Sequence, residues 1–243
     1  MRIGYRLQSK RYCGPYFLGI LSMSGLMDGE GSVIIWERGR EKVLSGGHRM
    51  KRILVVIDMQ NDFIDGALGT EEAVGIVDKV VEKIHSYSRP GDCVYATRDT
   101  HGEDYLETSE GKFLPVKHCV KGTKGWEIRG EVARALQERK AVIVDKPTFG
   151  SEELAQKLWE ESREEETEIE LVGLCTDICV VTNALLLKTK LPETQISVDS
   201  SCCAGVTPSS HSAALLTMKM CQIETEKGKD YSEKTPKTLE NLS

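Results

Sequence analysis

Ile53-Leu-Val-Val-Ile-Asp58-Met-Gln-Asn-Asp-Phe63 is the stretch on which the fold turns. Residues 53–57 are apolar without a break and end on an acid. A strand with one wet face alternates, whereas a strand buried on both faces reads as a continuous run of this kind. Four more such runs follow: Cys93–Thr97, Ala141–Asp145, Glu170–Leu174 and Gln195–Asp199. Helical patterns fall between and after them, at about 71–86, 127–139, 151–163, 177–190 and 208–219. In the second, Val132, Ala135 and Leu136 share one face. Strand–helix alternation predicts a doubly wound, three-layer α/β/α fold on a mainly parallel sheet. No strand is followed by Gly-x-Gly-x-x-Gly or a phosphate loop, so nothing in the sequence marks a nucleotide site.

Open parallel sheets collect their working groups just beyond the carboxyl ends of the strands. Asp58 stands after the first run, Arg98-Asp99-Thr-His101 after the second, Asp145-Lys146 after the third, and Cys175-Thr-Asp-Ile-Cys179 after the fourth. An acid, a lysine and a cysteine thus converge on one rim from separate strands. Cysteine is the natural nucleophile, although a free thiol pKa of about 8.5 leaves only a few per cent thiolate at neutral pH. A helix N-terminus and a Lys146 ammonium beside Cys179 are expected to lower that pKa. Asp58 can take the thiol proton and return it to a leaving amine. Backbone amides around Cys175 and Cys179 can stabilise an oxyanion. The plain alternative for Cys179 is a small buried residue with no chemistry.

A second cluster is Asp99-Thr-His101 with Glu107, Glu110 and His118. Imidazole mixed with carboxylate suits zinc, iron or manganese, with water in any open position; structural histidines are the competing reading.

The 243 residues carry 32 basic and 38 acidic side chains, a net charge of −6, without a basic block. Nucleic acid is therefore not the expected partner. No apolar run reaches the roughly 20 residues that span a bilayer, so neither is a membrane. Residues 1–49 show no sustained period and read as a poorly patterned extension. Their apolar patch Tyr16–Met23 sits behind Arg2, Arg6, Lys10 and Arg11 but has no signal-peptide cleavage pattern. Met50 stands where the patterning begins. Residues 50–223 form the expected domain and 224–243 a polar, disordered tail. The stretch Glu160–Glu170, with seven glutamates, reads as a solvated helix end and loop. Eight cysteines without a Cys-x-x-Cys pair point to reduced thiols and a cytoplasmic setting.

Taken together, Ile57-Asp58-Met-Gln60-Asn61-Asp62-Phe63, Thr97-Arg-Asp99-Thr-His101, Lys146 and Gly173-Leu-Cys-Thr-Asp177-Ile-Cys179-Val resemble the isochorismatase-like cysteine hydrolases, in particular their nicotinamidase-like branch. The resemblance covers about 52–223. It implies a catalytic triad of Asp58, Lys146 and Cys179, and a cis peptide before Cys175 that aims the amides of Cys175 and Cys179 at the oxyanion. It also implies a divalent metal on Asp99, His101 and His118, a substrate pocket lined by Asp62 and Phe63, and outward helices that pack into a homo-oligomer. The branch has His or Glu as its fourth metal ligand. No histidine lies between His101 and His118 here, so Glu110 is expected, with Glu107 as its substitute. Tyr105 and Trp126 are expected as aromatic walls. The activity implied is hydrolysis of a small carboxamide through a thioester, nicotinamide foremost. Another small amide or ureide on the same triad, or a non-catalytic binding protein on the same fold, remains open at this stage.

Overall fold

The computed structural model describes residues 50–225, together with the backbone of three short strands before them. Segment 1–49 groups as one unit and residues 50–243 as another. In the first, β1 (Gly25–Met27), β2 (Val33–Glu37) and β3 (Arg40–Leu44) form an antiparallel sheet, with Glu37 opposite Arg40. The strands are too short to register as a period. The local signals are the β-branched Val33-Ile-Ile and the Gly39 of a two-residue hairpin spacing. The patch Tyr16–Met23 and residues 226–243 lie outside the described residues.

The second unit is built on five parallel strands: β4 (Lys51–Ile57), β5 (Cys93–Asp99), β6 (Val142–Lys146), β7 (Thr167–Leu174) and β8 (Gln195–Ala204). Their order is β6-β5-β4-β7-β8. The chain winds outward from β4 to β6, then returns to the other side of β4 for β7. The strand order therefore reverses between β4 and β7, where a doubly wound sheet opens its crevice. The helices are α1 (Asn61–Ile64), α2 (Glu71–Gly75), α3 (Val77–Ser86), α4 (Ser109–Phe113), α5 (Gly130–Glu138), α6 (Glu152–Ser162), α7 (Val181–Lys190) and α8 (Pro208–Met220). Alternate residues of β4 feed two cores. Ile53, Val55 and Ile57 pack with Leu154, Leu158, Ala184 and Met218 of α6–α8, while Leu54 and Val56 pack with Val80, Ile84, Val132 and Leu136 of α3 and α5. Both faces of the central strand are dry, as its unbroken apolar run requires.

Several boundaries differ from the sequence reading. The helix expected over 71–86 breaks at Ile76, after Gly75. The first turn of the 177–190 helix is a π-turn, Thr176–Val180. β6 carries Lys146 as its last residue instead of releasing it into the following loop. The acidic stretch 160–170 is not all solvated: Thr167–Glu170 belong to β7, and Glu170 is buried. Its carboxylate accepts hydrogen bonds from the Tyr87 hydroxyl at 2.9 Å and from Lys83 Nζ at 3.3 Å, which makes burial of the charge tolerable. At the far end, Glu224 pairs with β8, its N–H donating to Ile196 O at 3.0 Å, and Thr225 is buried, so the ordered domain runs past 223.

One glycine sets the geometry of the crevice. Gly173 of β7 lies in register with Ile57 of β4 and has φ +116°, and a Cβ there would sit 2.1 Å from Ile57 O. This approach falls one residue before Asp58 on β4 and two before Cys175 on β7. No described helix is long and apolar enough to cross a membrane. The seven described cysteines are all free.

Candidate active site

Strand ends and one turn bring the predicted groups together. Asp58 follows β4 in the left-handed region, φ +45°, fully buried. Lys146 Nζ lies 2.7 Å from Asp58 Oδ2 and 3.3 Å from Asp99 Oδ1, and donates to Cys179 Sγ at 3.4 Å and to Thr148 O at 3.0 Å. The other carboxylate oxygen, Asp58 Oδ1, accepts from the Thr97 hydroxyl at 2.6 Å. Cys179 is carried on the π-turn, and Leu174–Cys175 is a cis peptide, as the resemblance implied. The Cys175 carbonyl accepts from the amides of Ile178 and Val180 at 3.1 and 3.0 Å.

Burial governs the charges. It pushes the Cys179 thiol well above its ordinary value, Asp58 adds to that, and Lys146 only partly offsets it. The lowering expected from Lys146 and the helix terminus is therefore overruled, because removal from water outweighs one neighbouring cation. Asp58 is raised by burial against the pull of Lys146. Burial alone would lower Lys146, but the carboxylate of Asp58, with Cys179 and Asp99 behind it, raises it instead. Burial thus favours the neutral forms of Cys179 and Asp58, while the acids around Lys146 favour its ammonium.

Alongside lies the mixed cluster. Asp99, His101 and His118 each offer a ligand atom, all within 4.8 Å of one another. Glu110 Oε1 stands 3.7 Å from His101 Nε2 and 3.8 Å from His118 Nε2, whereas Glu107 is exposed. His101 Nε2 is buried and 2.8 Å from Asp99 Oδ2 without forming a hydrogen bond. An orphaned imidazole nitrogen facing a carboxylate oxygen fits a shared cation. His118 Nδ1 is tied to Val116 O at 2.8 Å, which turns Nε2 toward the cluster. The donor set of two imidazoles and up to two carboxylates suits a divalent transition metal.

A small cavity joins the two groups. Asp99, Glu110 and His118 line it together with Cys175 and Cys179, among apolar walls from Phe63, Leu68, Leu114, Phe149 and Ile178. Larger cavities of about 350 and 390 Å³ lie elsewhere, one beside Arg52, Tyr87 and Glu170 and one beside Lys79 and His211; chemistry, not size, marks the site.

Of the predicted walls, only Phe63 lines the cavity. Asp62 instead holds a loop, its Oδ2 accepting from Cys119 N at 2.8 Å. Tyr105 is buried against the two histidines, ring centres 4.7 and 4.9 Å away, with its hydroxyl on Leu114 O. Trp126 donates to Thr100 Oγ1 at 2.8 Å and carries the Arg98 guanidinium over its ring. Both aromatics brace the site from behind. Sequence reasoning missed three buried polar residues. Gln60 bonds both the N–H and the carbonyl of Asp99. Asn183 donates to Cys179 O at 2.8 Å and Phe149 O at 3.0 Å, and accepts from Ser151 N. Thr97 opens the Thr97-Arg-Asp99-Thr-His101 motif but was given no role. For Gln60 the signal was its place beside Asp58; for Asn183 it was a polar side chain four residues after the cysteine on a helix.

A profile of the isochorismatase domain matches residues 52–227. The chain belongs to the isochorismatase family. Among curated proteins it is 31% identical, over 147 residues, to an uncharacterised isochorismatase family protein PncA of Bacillus subtilis, covering 56% of this chain and 78% of that protein. A crystal structure of nicotinamidase/pyrazinamidase PncA from B. subtilis matches with TM-score 0.65 and 30% identity, covering 73% of this chain and all of that one. The zinc complex of a Pyrococcus horikoshii pyrazinamidase matches with TM-score 0.59 and 27% identity, over 72% and 98% of the two chains.

Proposed function

We propose that this chain hydrolyses a small carboxamide, nicotinamide foremost, to the carboxylic acid and ammonia through a thioester on Cys179. The observation that carries this reading is the single buried group formed by Asp58, Lys146 and Cys179, with Lys146 Nζ 2.7 Å from the acid and 3.4 Å from the sulfur, at one side of the cavity. Relatives described as nicotinamidases support the choice of substrate.

Asp58 takes the thiol proton of Cys179 as the sulfur bonds to the carboxamide carbon, and Lys146 stabilises the charges of both. The amides of Cys175 and Cys179 receive the developing oxyanion. The C–N bond breaks as the Asp58 proton passes to nitrogen, and ammonia leaves. Water then attacks the thioester, Asp58 accepts its proton, and the acid departs as the thiol re-forms. Asp99, His101, His118 and Glu110 would hold a divalent zinc, iron or manganese ion, which when bound supplies a Lewis-acid contact to a substrate atom or water. The apolar walls of Phe63, Leu68, Leu114, Phe149 and Ile178 favour an uncharged group over a charged one.

The test is ammonia release from nicotinamide, with Cys179→Ala alongside. Turnover by the wild type and its loss by roughly 10⁴-fold or more in the variant are expected. Equal turnover by both would sink the nucleophile. No ammonia from a folded, metal-loaded wild type would move the substrate to another amide or a ureide.

A further inference from the structure

We infer that Thr97 is a positioning residue for the Asp58 base, an inference that rests on the hydrolase reading above and assigns the residue that aims its carboxylate. The two residues are locked in both directions. The Thr97 hydroxyl donates to Asp58 Oδ1 at 2.6 Å, and the Asp58 backbone N–H donates back to Thr97 Oγ1 at 3.3 Å. Both are buried, at 1% and 0% exposure, so no water competes for either bond.

The clamp acts where the chain needs one. Asp58 leaves β4 in the left-handed region, φ +45°, a conformation a non-glycine residue holds only when its surroundings fix it. Neighbouring β5 supplies the fixing group from Thr97, two residues before Asp99, and Tyr95↔Val55 and Ala96↔Val56 hold the two strands in register just below. With Oδ1 committed to the hydroxyl, Oδ2 is left facing Lys146 at 2.7 Å. Without it, Oδ1 has no partner on β5 and the carboxylate can turn both oxygens toward the ammonium. The base would then sit on Lys146 and away from the sulfur. A threonine is suited to this place because its methyl keeps it in the strand while its hydroxyl is free to do the aiming.

Two variants separate aiming from packing. Thr97→Val keeps the shape and the β preference but removes the hydroxyl; Thr97→Ser keeps the hydroxyl and removes the methyl. The expected result with nicotinamide is a fall in kcat of about 10- to 100-fold in Thr97→Val, KM within about twofold, and kcat within a few-fold of wild type in Thr97→Ser. Metal content is to be measured in both, and is expected unchanged. A role in stability alone would lower the melting temperature and leave kcat per folded molecule alone. Crystal structures of the two variants give a readout that needs no substrate. The Asp58 carboxylate is expected to turn in Thr97→Val and to keep its place in Thr97→Ser. An unmoved carboxylate in Thr97→Val, or an unchanged kcat in an enzyme that turns over, overturns the inference. If the wild type leaves nicotinamide untouched while the carboxylate turns only in Thr97→Val, the substrate reading falls and the role of Thr97 stands.

Discussion

Two charge clusters sit on the same sheet, one at the carboxyl rim and one midway along β7 and β8, where Glu170 and Asp199 lie. The rim holds Asp58, Lys146, Asp99 and the two histidines; the other holds Lys83, Glu170, Asp199 and Tyr87. Lys83 lies 3.3 Å from Glu170 and 2.6 Å from Asp199, Tyr87 donates to Glu170, and the hydroxyl of Ser201 donates to Asp199 at 2.6 Å. Both clusters are largely shielded from water, so burial does not separate them. Satisfaction does. Among the described buried side-chain polar atoms, His101 Nε2 at the rim is left without a hydrogen bond and none of the other cluster is, while Asp58 Oδ2 at the rim has only the Lys146 ammonium at 2.7 Å. A closed network is what structure alone asks for, while open ends are where a proton or a ligand goes.

The comparison can be broken from either side. His101→Ala is expected to have the larger effect: loss of bound metal by elemental analysis, and a drop in kcat/KM of at least about 100-fold. Full metal content in that variant would remove His101 from the ligand set. Glu170→Gln should do the reverse, lowering unfolding free energy by about 1–3 kcal/mol while kcat stays within twofold. A matching loss of kcat there would erase the distinction between the clusters. The smallest effect concerns acid stability. Burial alone would raise Asp199, but hydrogen bonds from Lys83 and Ser201 hold its carboxylate below the ordinary value. Its contribution is therefore present at neutral pH and lost as the solution is acidified through that lowered value. Asp199→Asn should make the urea midpoint fall less steeply between about pH 5 and 3; an unchanged slope would show that the pair adds nothing to acid stability.

The same contrast explains how much the sequence discloses. Strand runs, their order of alternation and the groups at their carboxyl ends are local patterns, and Asp58, Lys146, Cys179, Asp99, His101 and His118 were readable from them. Glu170 was not, because its partners Tyr87 and Lys83 are more than 80 positions away and it follows a run of exposed glutamates at 164–166. The cavity walls were equally hidden: Leu68, Leu114, Phe149 and Ile178 are ordinary apolar residues whose placement depends on how loops close. Tyr105 and Trp126 were assigned by ring type alone, and the packing gave them supporting places. Thr97 and Asn183 act through hydrogen bonds that mostly join residues more than 30 positions apart, which no spacing rule records.

The close passage of Gly173 beneath Ile57 has one more consequence. Asp58 follows one strand and the turn that carries Cys179 follows the other, so the gap between them depends on what residue 173 lacks. A methyl group there would lie 2.1 Å from the Ile57 carbonyl oxygen and wedge the strands apart. The spacing of Asp58 and the Cys179 turn is thus written in the sheet as an absent carbon atom.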